Sequence, residues 1–438
     1  MPDNTIKLPW GKEELSLNLP ESWQVLGVLE PARLPAVADV GLDFVRGALQ
    51  EPIGLPRLSE LVKPGMRIAI VIDDDSRPTP VASLFPAVMA ELQAGGVPPE
   101  AVTVAPALGV HRSMTEAEVA RRIGAGWLGK VSLETPDCDD PAKLIRLGVT
   151  SRGTPVLINK LVAQSDLVVS IGCIEPHIIA SFGGGYKNLV PGVAGRETIA
   201  HNHTLNCAPQ TFNNVGCPVD KNPMRLDLEE AAGMLKPPVF IVNAVLNSSL
   251  QVVRIICGHP IQAHRQGIET SAAIYGVRAP TLADVVITCS HPMDQDLRQG
   301  VKALANNVRA LKPGGFMLTL VRADEGVGVF GLANRKLPIG RAGLKLLAPL
   351  LVRLVPRLPL KGMGEEDRFF LYFALQAMRR GDLWMYAPTI PAETQANLPF
   401  VRFAQTVEQA LSAARLQFPT QASVLVIPHG GSTYPITA

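Results

Sequence analysis

The sequence predicts an α/β protein of two domains with a cleft between them. Three observations carry that reading. Short apolar, β-branched runs alternate with helix-like segments, polar residues follow the C-terminal end of each run, and 438 residues is a length ordinarily divided among two or three cores. With 47% of residues hydrophobic and only 18% charged, those cores are large.

The first strand is Arg67 to Ile72, which ends abruptly in Asp73-Asp74-Asp75-Ser76-Arg77-Pro78. A helix around Val81 to Gln93 follows, closed by Gly95-Gly96. Ala101 to Ala105 reads as the next strand and leads into Leu108-Gly109-Val110-His111-Arg112. Ser113 or Thr115 can cap the helix after it, with Glu116 and Glu118 in the first turn. Asp166 to Ile171 repeats the pattern and ends in Gly172-Cys173. Two strands, Val239 to Val245 and Leu250 to Ile256, and a helix reaching Tyr275 complete a domain over 1–275. The second domain, 276–438, runs through Val285 to Thr288, a helix from Asp294 to Leu311 and a strand from Phe316 to Val321. It ends with Val401 to Ala404, a helix from Val407 to Leu416 and Val424 to Ile427. The tail, 421–438, can return to the first domain through Pro428-His429-Gly430-Gly431.

Charge and composition exclude several classes. A net charge of +2 and an aromatic content of 5% give no basis for binding nucleic acid or an anionic membrane surface. Six cysteines without a CxxC pair suit reduced thiols in a cytoplasmic protein. Met1-Pro2-Asp3-Asn4 lacks the basic start of a signal peptide. The apolar stretch Leu344 to Leu360 is interrupted by Arg353, Pro356 and Arg357, too short and broken to span a bilayer, and reads as an amphipathic helix or a lid.

The densest chemistry lies in Pro176-His177 through Gly183-Gly184-Gly185-Tyr186-Lys187, followed by His201-Asn202-His203. Three consecutive glycines take backbone angles closed to other residues and let a bulky group approach the chain. Lys187, just beyond them, can clamp an anion or form a covalent attachment. The spacing is not that of a Walker A loop, and Asn188 offers no hydroxyl to magnesium. His111 and His177 each follow a buried strand and can act as bases near neutral pH. His264 and His429 read as structural. His201 and His203, with Cys207, admit a metal, although zinc would need further ligands that the sequence does not cluster. Asp73 to Asp75 with Arg77 is a metal site, a carboxylate clamp or a solvated turn; Arg77 would grip an acid with two hydrogen bonds. Gln299 and Lys302 share one helical face, as substrate ligands or as solvated surface.

In this order and spacing the motifs resemble the nickel-pincer lactate racemase family of 2-hydroxy acid racemases and epimerases. The resemblance rests on Asp74-Asp75-Ser76-Arg77-Pro78, Leu108 to Arg112, Pro176 to Pro191, Asn202-His203 and Asp296 to Lys302, and spans most of the chain. It implies nickel held by a pyridinium-3,5-dithiocarboxylic acid mononucleotide, so that the cleft takes both cofactor and substrate. It further implies that Lys187 carries this cofactor beside Gly183, Gly184 and Gly185, and that His203 ligates nickel. His111 and His177 would be paired bases, Asp74 an active-site acid, and Arg77, Gln299 and Lys302 the ligands of the substrate carboxylate. Cofactor-biosynthesis proteins would be partners, and a small 2-hydroxy acid the substrate. Arg298 departs from the aromatic residue of the lactate-specific members; it either meets a second carboxylate or a polyol, for a substrate larger or more polar than lactate, or faces solvent. Trp384 is a candidate for the family's pocket tryptophan. The alternatives are a 2-hydroxy acid oxidoreductase that releases the keto acid, a non-catalytic carboxylate-binding relative, and a zinc hydrolase.

Overall fold

The computed structural model describes residues 4–328, 330–357 and 363–437, and divides the chain into two units. The first comprises Arg33–Leu205 and Cys217–Ala273; the second comprises Met1–Ala32, Asn206–Gly216 and Ile274–Ala438. The boundary expected near residue 276 therefore falls at Ile274, but the opening 32 residues belong with the C-terminal segment. The reason is strand pairing: Trp23–Val28 lies parallel to Ala422–Ile427 as the edge of the second unit's sheet. Trp23 is buried there, and its indole N–H donates to the Phe418 carbonyl at 3.2 Å. The tail stays in this unit as well, since Tyr434–Ile436 pairs with Gly276–Arg278. The tail 421–438, expected to return to the first domain, pairs instead with Trp23–Val28 and with Gly276–Arg278.

In the first unit six strands lie in the order Val252–Gly258, Val239–Leu246, Leu167–Cys173, Ile68–Asp73, Val102–Ala107, Ser132–Leu133. All neighbours are parallel except the first pair. Ile68–Asp73, Leu167–Cys173 and Val239–Leu246 are buried at every position, as continuous apolar runs in a doubly covered parallel sheet must be. From Ile68–Asp73 the chain first builds outward through Val102–Ala107, then crosses to Leu167–Cys173 on the other side. That reversal is the switch point at which open α/β sheets leave a crevice. Thr115, not Ser113, caps the helix Glu116–Ile123, in a reciprocal capping box with Glu118.

The second unit holds another six-stranded parallel sheet, ordered Arg402–Ala404, Gly381–Tyr386, Leu311–Leu320, Ala283–Cys289, Ala422–Ile427, Trp23–Val28. The helix expected over 294–311 is shorter and splits into Leu297–Gly300 and Lys302–Asn307. Asp296 starts the first piece by accepting the Gln299 N–H at 2.7 Å. The apolar stretch from Leu344 forms part of the helix Arg341–Leu354, with Leu344, Ala348 and Val352 buried on one face; its end at 358–360 lies outside the described residues. Among the described residues no helix is long and apolar enough to cross a membrane.

Truncating Trp23 tests the unit assignment. Trp23→Ala is expected to cost about 3–5 kcal/mol and to raise amide exchange in Ala422–Ile427 and Ala283–Cys289 while sparing Ile68–Asp73. Uniform loss of protection in both sheets would contradict it.

Candidate functional site

The ends of the two strands at the first switch point are tied by Asp73. Its Oδ2 accepts the Cys173 N–H at 3.2 Å and the Thr79 hydroxyl at 2.5 Å. Burial pushes this carboxyl above its ordinary value, only partly offset by Thr79, Arg77 and Arg122. Arg122 adds backbone bonds, donating to the carbonyls of Asp73 (3.2 Å), Thr79 (3.1 Å) and Arg77 (3.3 Å). The loop carrying Asp74 and Arg77 is thereby fixed against the strand end that leads to Glu175 and His177.

Asp74 faces His111. Its Oδ2 lies 2.5 Å from His111 Nδ1, while Oδ1 accepts from the Ser76 hydroxyl at 2.6 Å. Burial would raise the Asp74 carboxyl, but the bond and charge of His111, the Ser76 hydroxyl and Arg77 outweigh it and hold the group well below the usual carboxylate range. An ionised partner at Nδ1 keeps the His111 proton there and makes Nε2 the basic nitrogen. His177 is held the other way round. It lies in a two-residue strand paired with Ser181–Phe182, and its Nδ1 accepts the N–H groups of Ile179 and Ala180, each at 3.2 Å. A proton on its ring therefore belongs on Nε2.

Arg77 pairs with Glu175, a residue that the sequence reading did not single out. Its signal was position alone: an acid just past a buried strand and two residues before His177. The two side chains remain only 18% and 11% exposed, so their charges interact with little screening by water. Lys187 stands in the turn Gly185–Asn188. Withdrawal of its amine from water, followed by the charge of Arg77, pulls it down to about 7, against the opposing pull of Asp73 and Glu175. A sizeable share of this amine is neutral, and so nucleophilic, at physiological pH.

Of the three glycines, Gly184 (φ +73°) and Gly185 (φ +62°) take the left-handed conformation that the sequence suggested. The space a side chain would fill is occupied by protein, however. A Cβ at Gly184 would lie 2.7 Å from Ile174 Cγ1 and 2.8 Å from Asn243 Oδ1; one at Gly185 would lie 2.9 Å from His264. Gly183 rests against the Cys173 carbonyl in the same way. Their carbonyls are claimed too: Arg225, fully buried, donates to those of Ala180, Phe182 and Gly184, and His264 Nε2 donates to that of Gly183 at 2.8 Å. The glycines thus hold the turn that presents Lys187 tightly against the sheet. His264 is structural, as expected.

His203 lies at the end of the helix Arg196–Thr204, with Nδ1 bonded to the Ile199 carbonyl at 2.9 Å, which puts the ring proton on Nδ1 and the lone pair on Nε2. His201 is engaged by the Thr154 hydroxyl at 2.7 Å. Cys207 belongs to the second unit, and burial raises its thiol to about 11. Among the described residues, the grouping of three or more donors close enough for one ion is Asp137, Cys138 and Asp139, with both acids exposed; it does not include these histidines.

Arg298, Gln299 and Lys302 lie in the second unit, on the two short helices after Ala283–Cys289. Among the described residues, Gln299 Oε1 is buried without a hydrogen-bond partner. Trp384 stacks on Phe316 with centroids 5.8 Å apart, donates to Asp382 at 2.8 Å and lies under Arg402, all within its own unit.

A family model of the lactate racemase N-terminal domain matches residues 10–213. The lactate racemase of Thermoanaerobacterium thermosaccharolyticum is 31% identical over 326 residues, 74% of this chain and 75% of that protein. The lactate racemase of Lactiplantibacillus plantarum is 29% identical over 292 residues, 65% and 67% respectively. In three dimensions the chain matches the lactate racemase apoprotein of Thermoanaerobacterium thermosaccharolyticum with a TM-score of 0.83 at 26% identity, covering 99% of this chain and all of that one. A Thermotoga maritima protein shares the fold at a TM-score of 0.66 and 14% identity, over 92% of this chain and all of that one.

The Lys187 environment predicts a pH profile. Acylation of Lys187 by a small amine reagent, followed by peptide mass, is expected to have its midpoint near 7. Arg77→Gln removes a neighbouring cation and moves the midpoint up; Glu175→Gln removes an anion and moves it down. A wild-type midpoint at the ordinary lysine value would contradict the account.

Proposed function

The chain belongs to the lactate racemase family, and from that premise we propose that it is an isomerase interchanging the two configurations at C2 of a 2-hydroxy acid. The observation that carries the reading is the meeting, at one switch point, of an aspartate-backed imidazole, an arginine–glutamate pair and a second imidazole, with a lysine of lowered basicity coupled to the same charges.

His111 and His177 have complementary duties. His111 takes the substrate hydroxyl proton at Nε2, and Asp74 steadies the resulting imidazolium without taking the proton itself. His177 offers Nε2–H to the oxygen on the other face, so the two configurations are served by different rings. Arg77 orients the carboxylate; Glu175 keeps the guanidinium in place until substrate arrives. Gln299 and Lys302 would be further ligands of the substrate carboxylate, and Arg298 would favour a substrate larger or more polar than lactate.

The donor set fits a nickel-pincer nucleotide. Lys187 would hold it through a bond from the neutral amine, and His203 Nε2 is a suitable fourth ligand for nickel. When bound, such a group supplies reversible acceptance of hydride. Cofactor-biosynthesis proteins would then be required partners.

The test is protein produced together with that biosynthetic pathway. Expected are a mass increment on the Lys187 peptide, about one nickel per chain, and racemisation of a C2-deuterated acid with the label retained. In such protein, His111→Gln and Asp74→Asn should each lower kcat by roughly 10²–10⁴-fold. Stoichiometric keto acid would favour the oxidoreductase reading instead. An unmodified Lys187 peptide without nickel, under conditions that load a relative, would overturn the cofactor assignment and favour a carboxylate-binding protein.

A further inference from the structure

The second unit carries an apolar surface that its own packing leaves open. The helix Arg341–Leu354 buries Leu344, Ala348 and Val352, and it packs on the helix Glu365–Arg380. Its outward face is leucine as well. Leu346 is 80% exposed, Leu350 53% and Leu347 37%. Leu346 and Leu350 stand four residues apart, about one helical turn, so their side chains form one ridge with Leu347 beside it. Polar residues ordinarily occupy the water-facing positions of a surface helix. Adjoining exposed leucines, unlike a single one, mark a surface of contact.

Exposed cations accompany the ridge. Lys345 and Arg353 lie on the same helix, and Arg357 sits in the turn that follows, its N–H donating to the Leu354 carbonyl at 2.9 Å. Arg341, by contrast, is spent within the fold, donating to Asp382 and to the Phe400 carbonyl, each at 2.5 Å. The charge is segregated along the chain too: from Gly326 to Gly364 there are seven basic residues and no acidic one, which leaves the remainder net acidic. A whole-chain charge of +2 therefore concealed this segment, and the sequence gave no basis for an anionic surface on that average alone. Arg353 also suits the carbonyl end of its helix. That accounts for neither Lys345, far from that end, nor the outward leucines.

Leucines interleaved with lysine and arginine match the interface of an anionic bilayer. Apolar side chains enter the boundary between headgroups and acyl chains, while long cationic side chains reach back to the phosphates. The helix has 14 residues and cannot cross the bilayer, so the contact is peripheral. A second copy of the face fits less well, because it would set cations against cations. Single-stranded nucleic acid would require stacking rings, which this helix lacks.

We propose that the outward face of the helix Arg341–Leu354, with Arg357 beyond it, docks the protein on an anionic phospholipid bilayer. Leu346, Leu347 and Leu350 insert, and Lys345, Arg353 and Arg357 pair with lipid phosphates. The contact is reversible and weakens with salt. It stands apart from the isomerase reading.

The full-length chain is sedimented with vesicles of phosphatidylcholine alone and of phosphatidylcholine mixed with phosphatidylglycerol, at low and high salt. Partition onto the mixed vesicles is expected, falling sharply on phosphatidylcholine alone and in high salt. Leu346→Gln combined with Leu350→Gln should weaken it at least roughly tenfold. Arg353→Gln and Arg357→Gln should each weaken it roughly fivefold. Leu416→Gln, at a leucine 85% exposed on the helix Val407–Gln417, should leave it within about twofold. All these side chains face water, so the variants keep the wild-type melting temperature, which checks that each is folded. Absence of partition onto the mixed vesicles, or partition that the leucine pair leaves unchanged, overturns the proposal. Self-association lost in Leu346→Gln, without vesicle binding, assigns the face to a second copy and overturns it as well. The readout uses no substrate, so its failure leaves the isomerase reading untouched, and the reverse holds too.

Discussion

A buried carboxyl that joins two strands governs the candidate site. Asp73 ends one strand of the first sheet, and its Oδ2 takes the backbone N–H of Cys173 from the neighbouring strand across the switch point. Such a group is costly to bury unless its lone pairs are met, and Thr79 and the Cys173 amide meet those of Oδ2. With both connections pinned, Asp74 and Arg77 on one side have fixed partners in His111 and, on the other, Glu175. Loosening Asp73 would let the acid, the arginine and the two imidazoles move independently.

The lysine turn obeys a second rule of compensation. Its carbonyls are withdrawn from water, and a buried guanidinium and a buried imidazole replace that water. Arg225 bears a cost of its own, for burial lowers it to about 10, eased by Glu229. Burial first, then the charge of Arg77 and, least, that of Arg225 drives the proton from Lys187. The burial that shapes the turn therefore also lowers the basicity of its amine.

Opposite hydrogen bonding at two histidines suits reversible chemistry. His111 donates its Nδ1–H to a carboxylate, whereas His177 receives backbone N–H groups at the same atom. One ring can accept a proton at Nε2, and the other carries a hydrogen-bond donor there. Residue type alone, two histidines after two strands, does not distinguish these states; the partner of Nδ1 does.

Much of this was legible in the sequence, where the physics is local. Continuous apolar runs marked the central strands Ile68–Asp73 and Leu167–Cys173, and polar residues at their ends marked the site. The order of Asp74, Arg77, His111, His177, Lys187 and His203 was enough to suggest the family, which the likeness to known lactate racemases then established. What the sequence could not carry were contacts between residues far apart in the chain. Glu175 bonds Arg77 across 98 positions, Arg225 reaches the glycine turn across about 40, and Trp23 joins a strand nearly 400 residues away. Side-chain type and spacing determine which strands and turns can form. Only the packed chain decides which buried charges meet, because each partner is selected by the need to satisfy a group already removed from water.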